Sequence, residues 1–277
     1  MSGRRPDWLE VREGEAPLLV AFPHTGVDLP DDAAGGLVSP WLARRDADWW
    51  IDALYDFAAG MGATTVRTAI SRTVIDVNRD PSGASLYPGQ ATTELCPTTT
   101  FDGEPLYRPG RAPDAAGIAR RTADYFAPYH QALAEQLARL RERHPRVVLY
   151  DAHSIRSRIP RLFDGELPQF NIGTNSGRSC DAALTQGVEA ICGRTGLSWI
   201  TNGRFKGGWT TRRYGAPTDG VHALQMELAL HGYIDEPNLL TPETWPPPYR
   251  ADMAAPMRGV LADILDACLT FAGSSAP

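Results

Sequence analysis

Apolar residues in this chain fall into two patterns. Some form short continuous runs that end abruptly in polar residues, and others recur every three or four positions over longer stretches. The run at 147–150, within RVVLYDAHS, is too short for a helix and rich in strand formers, so it predicts a buried strand that leads directly into Asp151, Ala152 and His153. Residues 17–22 (PLLVAF) predict a second such strand, running into Pro23, His24, Thr25 and Gly26. A third is expected over 63–70, broken at Ser71-Arg72 and resumed as an alternation over 73–77 that ends in Asn78, Arg79, Asp80 and Pro81. Shorter strands are expected at 170–174 and 198–201. The stretch 221–228 (VHALQMEL) fits strand or helix. As a strand it would set Gln225 and Glu227 on one face and Leu224, Met226 and Leu228 on the other.

Helical spacing appears from Trp50 through Leu54, Phe57, Ala58 and Met61, with Gly62 as the stop. It recurs over 115–143, as one or two helices ended by His144-Pro145, over 180–195, closed by Gly196, and over 253–271, after which the tail AGSSAP is expected to fray. Two segments lack periodicity. Residues 80–113 are rich in Pro, Gly and Thr and longer than an ordinary connection, which marks a functional cover or a mobile segment. Residues 202–215 (NGRFKGGWTTRRYG) read as a glycine-rich loop.

Composition narrows the class. With 277 residues, 43% hydrophobic and 22% charged, the chain can bury one large core or two small ones, and it is read as a single globular domain over 1–277. It contains no apolar run long enough to span a bilayer, and MSGRRPDWLEVREGE lacks the apolar middle of a signal peptide, so a cytoplasmic protein is expected. Cys96, Cys180, Cys192 and Cys268 have no CxxC spacing and suggest no disulfide framework. A net charge of −6 without a basic tract argues against nucleic acid or an anionic membrane as partner and leaves a small molecule. Of the basic residues 26 are arginine and one is lysine, which singles out Lys206 because a compact ammonium and a planar guanidinium differ chemically.

Candidate chemistry follows from where the polar residues stand. In open α/β folds ligands gather outside the carboxyl ends of strands, which makes His153 and His24 candidates. One histidine after a strand is more often structural than a ligand, but two together point to a metal such as zinc. Asp46 and Asp48 sit at the mouth of a predicted helix, where Asp48 is either an N-cap or the carboxylate partner of the histidines. Glu227 on an apolar strand is an expensive placement unless a site uses it. Arg79 at a strand end can grip a carboxylate with two parallel hydrogen bonds. Arg156, Arg158 and Arg161 cluster beside His153, while Lys206, Arg212 and Arg213 share the glycine-rich loop, a cation density that suggests an anionic ligand. Two histidines, an aspartate and a further glutamate compose a mononuclear metal hydrolase, in which three protein ligands leave a fourth position for water.

Seven segments resemble, in order, those of the N-formylglutamate deformylase (N-formylglutamate amidohydrolase) family: PHTG at 23–26, DADW at 46–49, SRTVIDVNRDP at 71–81, DAHS at 151–154, RLFDGELPQFNIGTNSGRSCD at 161–181, NGRFKGGWTTRRYG at 202–215 and LQMELALHGYIDE at 224–236. The resemblance covers about 17–236. It implies kinship with zinc carboxypeptidases and aspartoacylases, and so a three-layer α/β/α fold with a mixed central sheet (phosphorylase/hydrolase-like). It also implies one zinc ion on His24, Asp48 and His153, with Asp46 as second choice for the carboxylate, and Glu227 as general base. Asn78 with Arg79 would hold one substrate carboxylate, Arg212 or Lys206 the other, with Arg156 nearby and Arg72 stabilising the oxyanion. Ala47, Trp50 and Arg213 depart from the family pattern. The activity implied is hydrolysis of N-formyl-L-glutamate to glutamate and formate, the last step of a histidine degradation pathway. The competing readings are a deacylase of another N-acyl amino acid, such as an N-acyl aspartate, and a non-catalytic ligand-binding protein of the same fold.

Overall fold

The apolar runs become neighbouring strands of one sheet. In the computed structural model, which describes residues 5–274, β1 (Leu9–Arg12), β2 (Leu18–Phe22), β3 (Thr64–Thr68), β4 (Val147–Ile155), β5 (Phe170–Gly173), β6 (Trp199–Thr201) and β7 (Val221–Ala229) lie in the order β1-β3-β2-β4-β7-β5-β6. The central four, β3, β2, β4 and β7, are parallel. At one edge β1 runs antiparallel to β3, and at the other β5 and β6, parallel to each other, run antiparallel to β7. The sheet is therefore mixed, as the resemblance implied.

The α-helices are α1 (Asp31–Ala34), α2 (Pro40–Arg44), α3 (Ile51–Leu54), α4 (Ala115–Arg121), α5 (Ala127–Arg141), α6 (Ala182–Gly193), α7 (Trp209–Tyr214) and α8 (Ala251–Gly273), and the helix expected from Trp50 to Met61 is split at Tyr55 into α3 and a 3-10 segment over Asp56–Met61. Because side chains alternate along a strand, each central strand feeds two cores. Leu18, Val20 and Phe22 of β2, Val148 and Tyr150 of β4, and Leu224, Met226 and Leu228 of β7 pack with Leu184 and Val188 of α6 and Leu261 and Ile264 of α8. Leu19, Ala21, Val147, Leu149 and Ala223 face the other way, against Tyr129, Leu133, Leu137 and Leu140 of α5. Burial on both faces explains why these strands read as continuous apolar runs. The result is three layers, α/β/α.

Several elements differ from the pattern-based expectation, each for a local reason. Residues 73–77 make a buried turn rather than a strand, with Val74 N–H donating to Ser71 O (2.9 Å) and Asp76 N–H to Leu95 O (2.7 Å). Ile75 and Val77 pack against the long loop and α5, and Val74 packs with Ala33 and Ile70, in place of a neighbouring strand. The 115–143 helix is broken by a π-helical turn over Thr122–Phe126, immediately before Pro128, whose missing N–H and ring disturb the regular ladder. Helix α7 lies inside what reads as a loop. The ambiguous 221–228 stretch is a strand, paired along its whole length with β4. Edge strand β1, four residues of mixed polarity, has no apolar signature in the sequence. All four cysteines are buried and free. Among the described residues no helix is long and apolar enough to cross a membrane. Of the expected frayed tail, residues 275–277 lie outside the described residues.

On α5, His130 joins layers: Nε2 donates to Val77 O (2.8 Å) and Nδ1 lies 3.1 Å from the Tyr214 hydroxyl. Burial pushes this imidazole from its ordinary value near 6.5 down to about 4. The unfolded chain takes up the proton below about 6.5 and the folded chain only below about 4, so stability present above that window is lost as pH falls through it. The loss amounts to about 3 kcal/mol. His130→Gln is expected to flatten the dependence of unfolding free energy on pH between these limits, measured by denaturant titration; an unchanged slope would show that other groups cause it.

Candidate metal centre and cavity

Three adjacent parallel strands deliver the site. His24 follows the carboxyl end of β2, while His153 and Glu227 lie in the carboxyl halves of β4 and β7. The β4–β7 register sets Asp151 beside Gln225 and His153 beside Glu227. All four continue the face that carries Val147, Leu149 and Ala223, so the α5-side core gives way to polar chemistry at the strand ends. Asp48 arrives from the segment between α2 and α3, fastened by its N–H to His24 O (2.9 Å). It caps no helix. The N-cap of α3 is Trp50, in the left-handed region at φ 63°, and the Asp48 carboxylate turns into the site. Trp50 is bulky for that conformation and marks local strain two residues from Asp48.

His24, Asp48 and His153 are buried, with ligand atoms all within 4.8 Å of one another. His24 Nδ1 and His153 Nδ1 are 3.1 Å apart, and Asp48 Oδ2 lies 3.1 Å from His153 Nδ1 and 3.7 Å from His24 Nδ1. The opposite nitrogens are each held by a carboxylate: His24 Nε2 by Asp76 Oδ1 (2.7 Å) and His153 Nε2 by Asp151 Oδ2 (3.0 Å). His153 Nε2 also lies 2.8 Å from Asn78 Nδ2. With the ring protons on Nε2, facing Asp76 and Asp151, two Nδ1 lone pairs and an anionic oxygen converge. That arrangement is repulsive unless a cation or a proton sits among them, and the donor set suits zinc. The residues present fit a single metal ion.

Electrostatics agree. Burial pushes the Asp48 carboxyl up, but His24 and His153 outweigh it and hold the group well below the usual carboxylate range. Burial favours neutral His153, yet Asp151 and Asp48 outweigh it and favour its protonated form. Arg72 spans the centre, donating to Asp48 Oδ1 (3.3 Å) and Asp76 Oδ2 (2.8 Å). Glu227 accepts from Gln225 Nε2 (2.9 Å), and burial pushes its carboxyl up to about 7 against the pull of His153.

The cluster opens on a cavity lined by His24, Arg72, Arg79, His153, Arg204 and Glu227, with Tyr87, Thr93 and Phe101 contributed by the long 80–113 loop. That loop thus forms a wall of the site. Tyr87 fastens it to the glycine-rich segment: its hydroxyl donates to Gly207 O (3.0 Å) and accepts from Lys206 N–H (3.1 Å). Gly208 lines the cavity where a Cβ would stand 2.4 Å from the Asn78 amide nitrogen, so only glycine permits that approach.

Other expected residues stand differently. Asn78 lines the cavity, but its amide is engaged, donating to Asp151 Oδ2 (3.1 Å) and accepting from Thr210 N–H (2.8 Å), so it braces the second histidine instead of pairing with Arg79. Arg156 lies outside the lining, bound to Asp102 (2.7 Å) and near Asp46 (3.5 Å). Asp46 accepts from Phe101 N–H (2.7 Å) and stands outside the His24–Asp48–His153 group. Arg212 stacks 5.0 Å over the Tyr87 ring, and neither it nor Lys206 lines the cavity. Much of the cation density seen in the sequence is loop bracing. Sequence reasoning missed Asp76, Asp151 and Arg204. Asp151 had a signal, since a residue two before His153 on a strand shares its face, whereas Asp76 lies 52 positions from the imidazole it holds.

Fold and site together define a mixed-sheet α/β/α protein with a buried pocket able to seat one cation. The chain belongs to the N-formylglutamate amidohydrolase family, whose model matches residues 16–234. It is 47% identical over 264 residues to the N-formylglutamate deformylase of Pseudomonas aeruginosa and 46% identical to that of Pseudomonas putida, covering 95% of this chain and 96% of each relative. The crystal structure of an N-formylglutamate amidohydrolase from Ralstonia eutropha JMP134 superposes with a TM-score of 0.74 at 25% identity, covering 95% of this chain and 96% of that one.

His153→Ala is expected to abolish stoichiometric zinc binding, read by metal analysis after dialysis; full zinc content in that variant would remove His153 from the ligand set. Asp151→Asn and Asp76→Asn should each weaken affinity about tenfold to hundredfold in competition with a chelator, because the imidazoles lose the groups that orient them.

Proposed function

We propose that this protein is a zinc-dependent N-formyl-L-glutamate deformylase, releasing glutamate and formate in the cytoplasm as the last step of histidine breakdown. The observation that carries the reading is Glu227, buried beside His153 across the β4–β7 register and open to the same cavity as the His24–Asp48–His153 cluster. A protein that only binds a ligand has no use for a buried carboxylate poised near neutrality. The family and its named relatives support the substrate.

A zinc ion on His24, Asp48 and His153 would supply Lewis acidity toward a carbonyl oxygen and toward water. Glu227, with its carboxyl near 7, takes a proton from the attacking water and delivers it to the departing amine nitrogen. Arg72, fixed between Asp48 and Asp76, turns the rest of its guanidinium to the cavity, where it can donate to the oxyanion as the formyl carbon becomes tetrahedral. Arg79 is anchored by donation from Nε to Thr93 O (3.1 Å) and from one terminal nitrogen to Thr93 Oγ1 (3.0 Å), leaving the other for a substrate carboxylate.

The test is formate release from N-formyl-L-glutamate by metal-analysed protein, with and without chelator, beside a panel of N-formyl and N-acetyl amino acids. Activity confined to an N-acyl aspartate would replace the substrate, and binding without turnover would make the protein a receptor. Glu227→Gln should keep its zinc and lose turnover by about a thousandfold; activity within a few-fold of the parent would mean that another group is the base. Arg79→Ala should raise KM or misplace the substrate, so unchanged steady-state constants would free Arg79 from that role.

A further inference from the structure

Arg204 was not singled out by motif, yet it is the cavity-lining cation whose charge the protein leaves unanswered. Its guanidinium is half buried and held rigidly by two backbone carbonyls from different loops, Nε donating to Leu162 O (2.8 Å) and Nη2 to Ala91 O (2.7 Å). Its plane lies over the rings of Tyr87 (5.5 Å) and Phe205 (5.4 Å). Among the described residues no carboxylate stands within ion-pair distance of it, although Arg156, Arg158 and Arg258 all have such partners. Burial lowers its proton affinity, Tyr87 and Glu227 oppose that effect, and the repulsion of Arg79 adds to it. Of the three guanidiniums lining the cavity, Arg72 is paired with Asp48 and Asp76, Arg79 has only Asp76 at 3.7 Å, and Arg204 has no acidic partner among the described residues. A pocket of this charge is completed by a ligand with two anionic groups.

We infer that Arg204 is the second carboxylate-binding group of the cavity, across from Arg79, and that it makes the site selective for N-acyl amino acids whose side chain ends in a carboxylate. The inference deepens the proposed function and rests on it for the reaction. It does not rest on it for the binding. The carbonyls of Leu162 and Ala91 leave Nη1 free in a fixed plane, so little side-chain freedom is lost when a carboxylate docks. Lys206 and Arg212 stand outside the lining, and the Arg212 guanidinium is engaged with Gly207 O and the Tyr87 ring.

The experiment compares zinc-loaded parent and Arg204→Gln on N-formyl-L-glutamate and N-formyl-L-glutamine, with glutarate binding measured by calorimetry on the same samples. The parent should prefer the dicarboxylate by about a hundredfold in kcat/KM, and the variant should bring the two substrates to within about threefold while losing most of its glutarate affinity. Arg204→Lys should recover part of the discrimination. A variant that keeps the parent's preference overturns the inference, as does an equal loss on both substrates, which would make Arg204 a loop brace alone. If the parent releases no formate but binds glutarate in an Arg204-dependent way, the deformylase reading falls and this inference stands. No glutarate binding by the parent overturns it.

Discussion

Everything in this site follows from three electron-rich atoms, two imidazole Nδ1 and one carboxylate oxygen of Asp48, being pressed together at the buried floor of a cavity. No combination of neighbouring apolar contacts makes that convergence favourable by itself. The protein tolerates it by surrounding the trio with order: Asp76 and Asp151 take the outer ring nitrogens, Ser154 N–H donates to Asp48 Oδ2 (3.0 Å), and Arg72 bridges Asp48 to Asp76. Burying so many charges costs several kcal/mol per ion unless each is paired, and here each of the carboxylates and Arg72 has a partner. The network is therefore rigid before any ligand arrives, which is the condition under which fixed dipoles assist a reaction without reorganising.

The sheet is what makes this possible. Parallel neighbours bring strand ends from residues 22, 155 and 229 to one edge of the molecule, and the shared phase of β4 and β7 puts Asp151, His153, Gln225 and Glu227 on a single face. A slip of one residue between these strands would carry Glu227 into the α8-side core and Leu228 into the cavity. Apolar packing on both faces, by α5 on one side and α6 and α8 on the other, is the device that forbids the slip. Stability and chemistry are thus read from the same alternation of side chains.

That alternation is also why so much was legible beforehand. Strands β2 and β4, the polar residues at their ends and the Gly62 stop followed from runs, β7 was left open between strand and helix, the three-layer mixed-sheet class came from the family resemblance, and His24, Asp48 and His153 do converge. What escaped was long-range. Whether 73–77 would pair as a strand depended on a loop packed over it, and Asp48's role as ligand or cap depended on how the chain turns at Trp50. Cations were the least readable. Arginines 156, 204 and 212 look alike in sequence, and only the fold separates those spent on Asp102 or on Gly207 O outside the lining from the one that lines the cavity.

Tyr87 joins two walls far apart in sequence, the 80–113 loop and the 202–215 segment. Its hydroxyl is shared by the backbone of Lys206 and Gly207, and its ring carries Arg204 and Arg212. The entrance is consequently not a flap hinged on one loop. To admit anything broader than the existing mouth, the molecule must either part these segments, breaking the Tyr87 contacts to Lys206 and Gly207 together with the Arg204–Ala91 bond, or swing the two lips outward as a single piece.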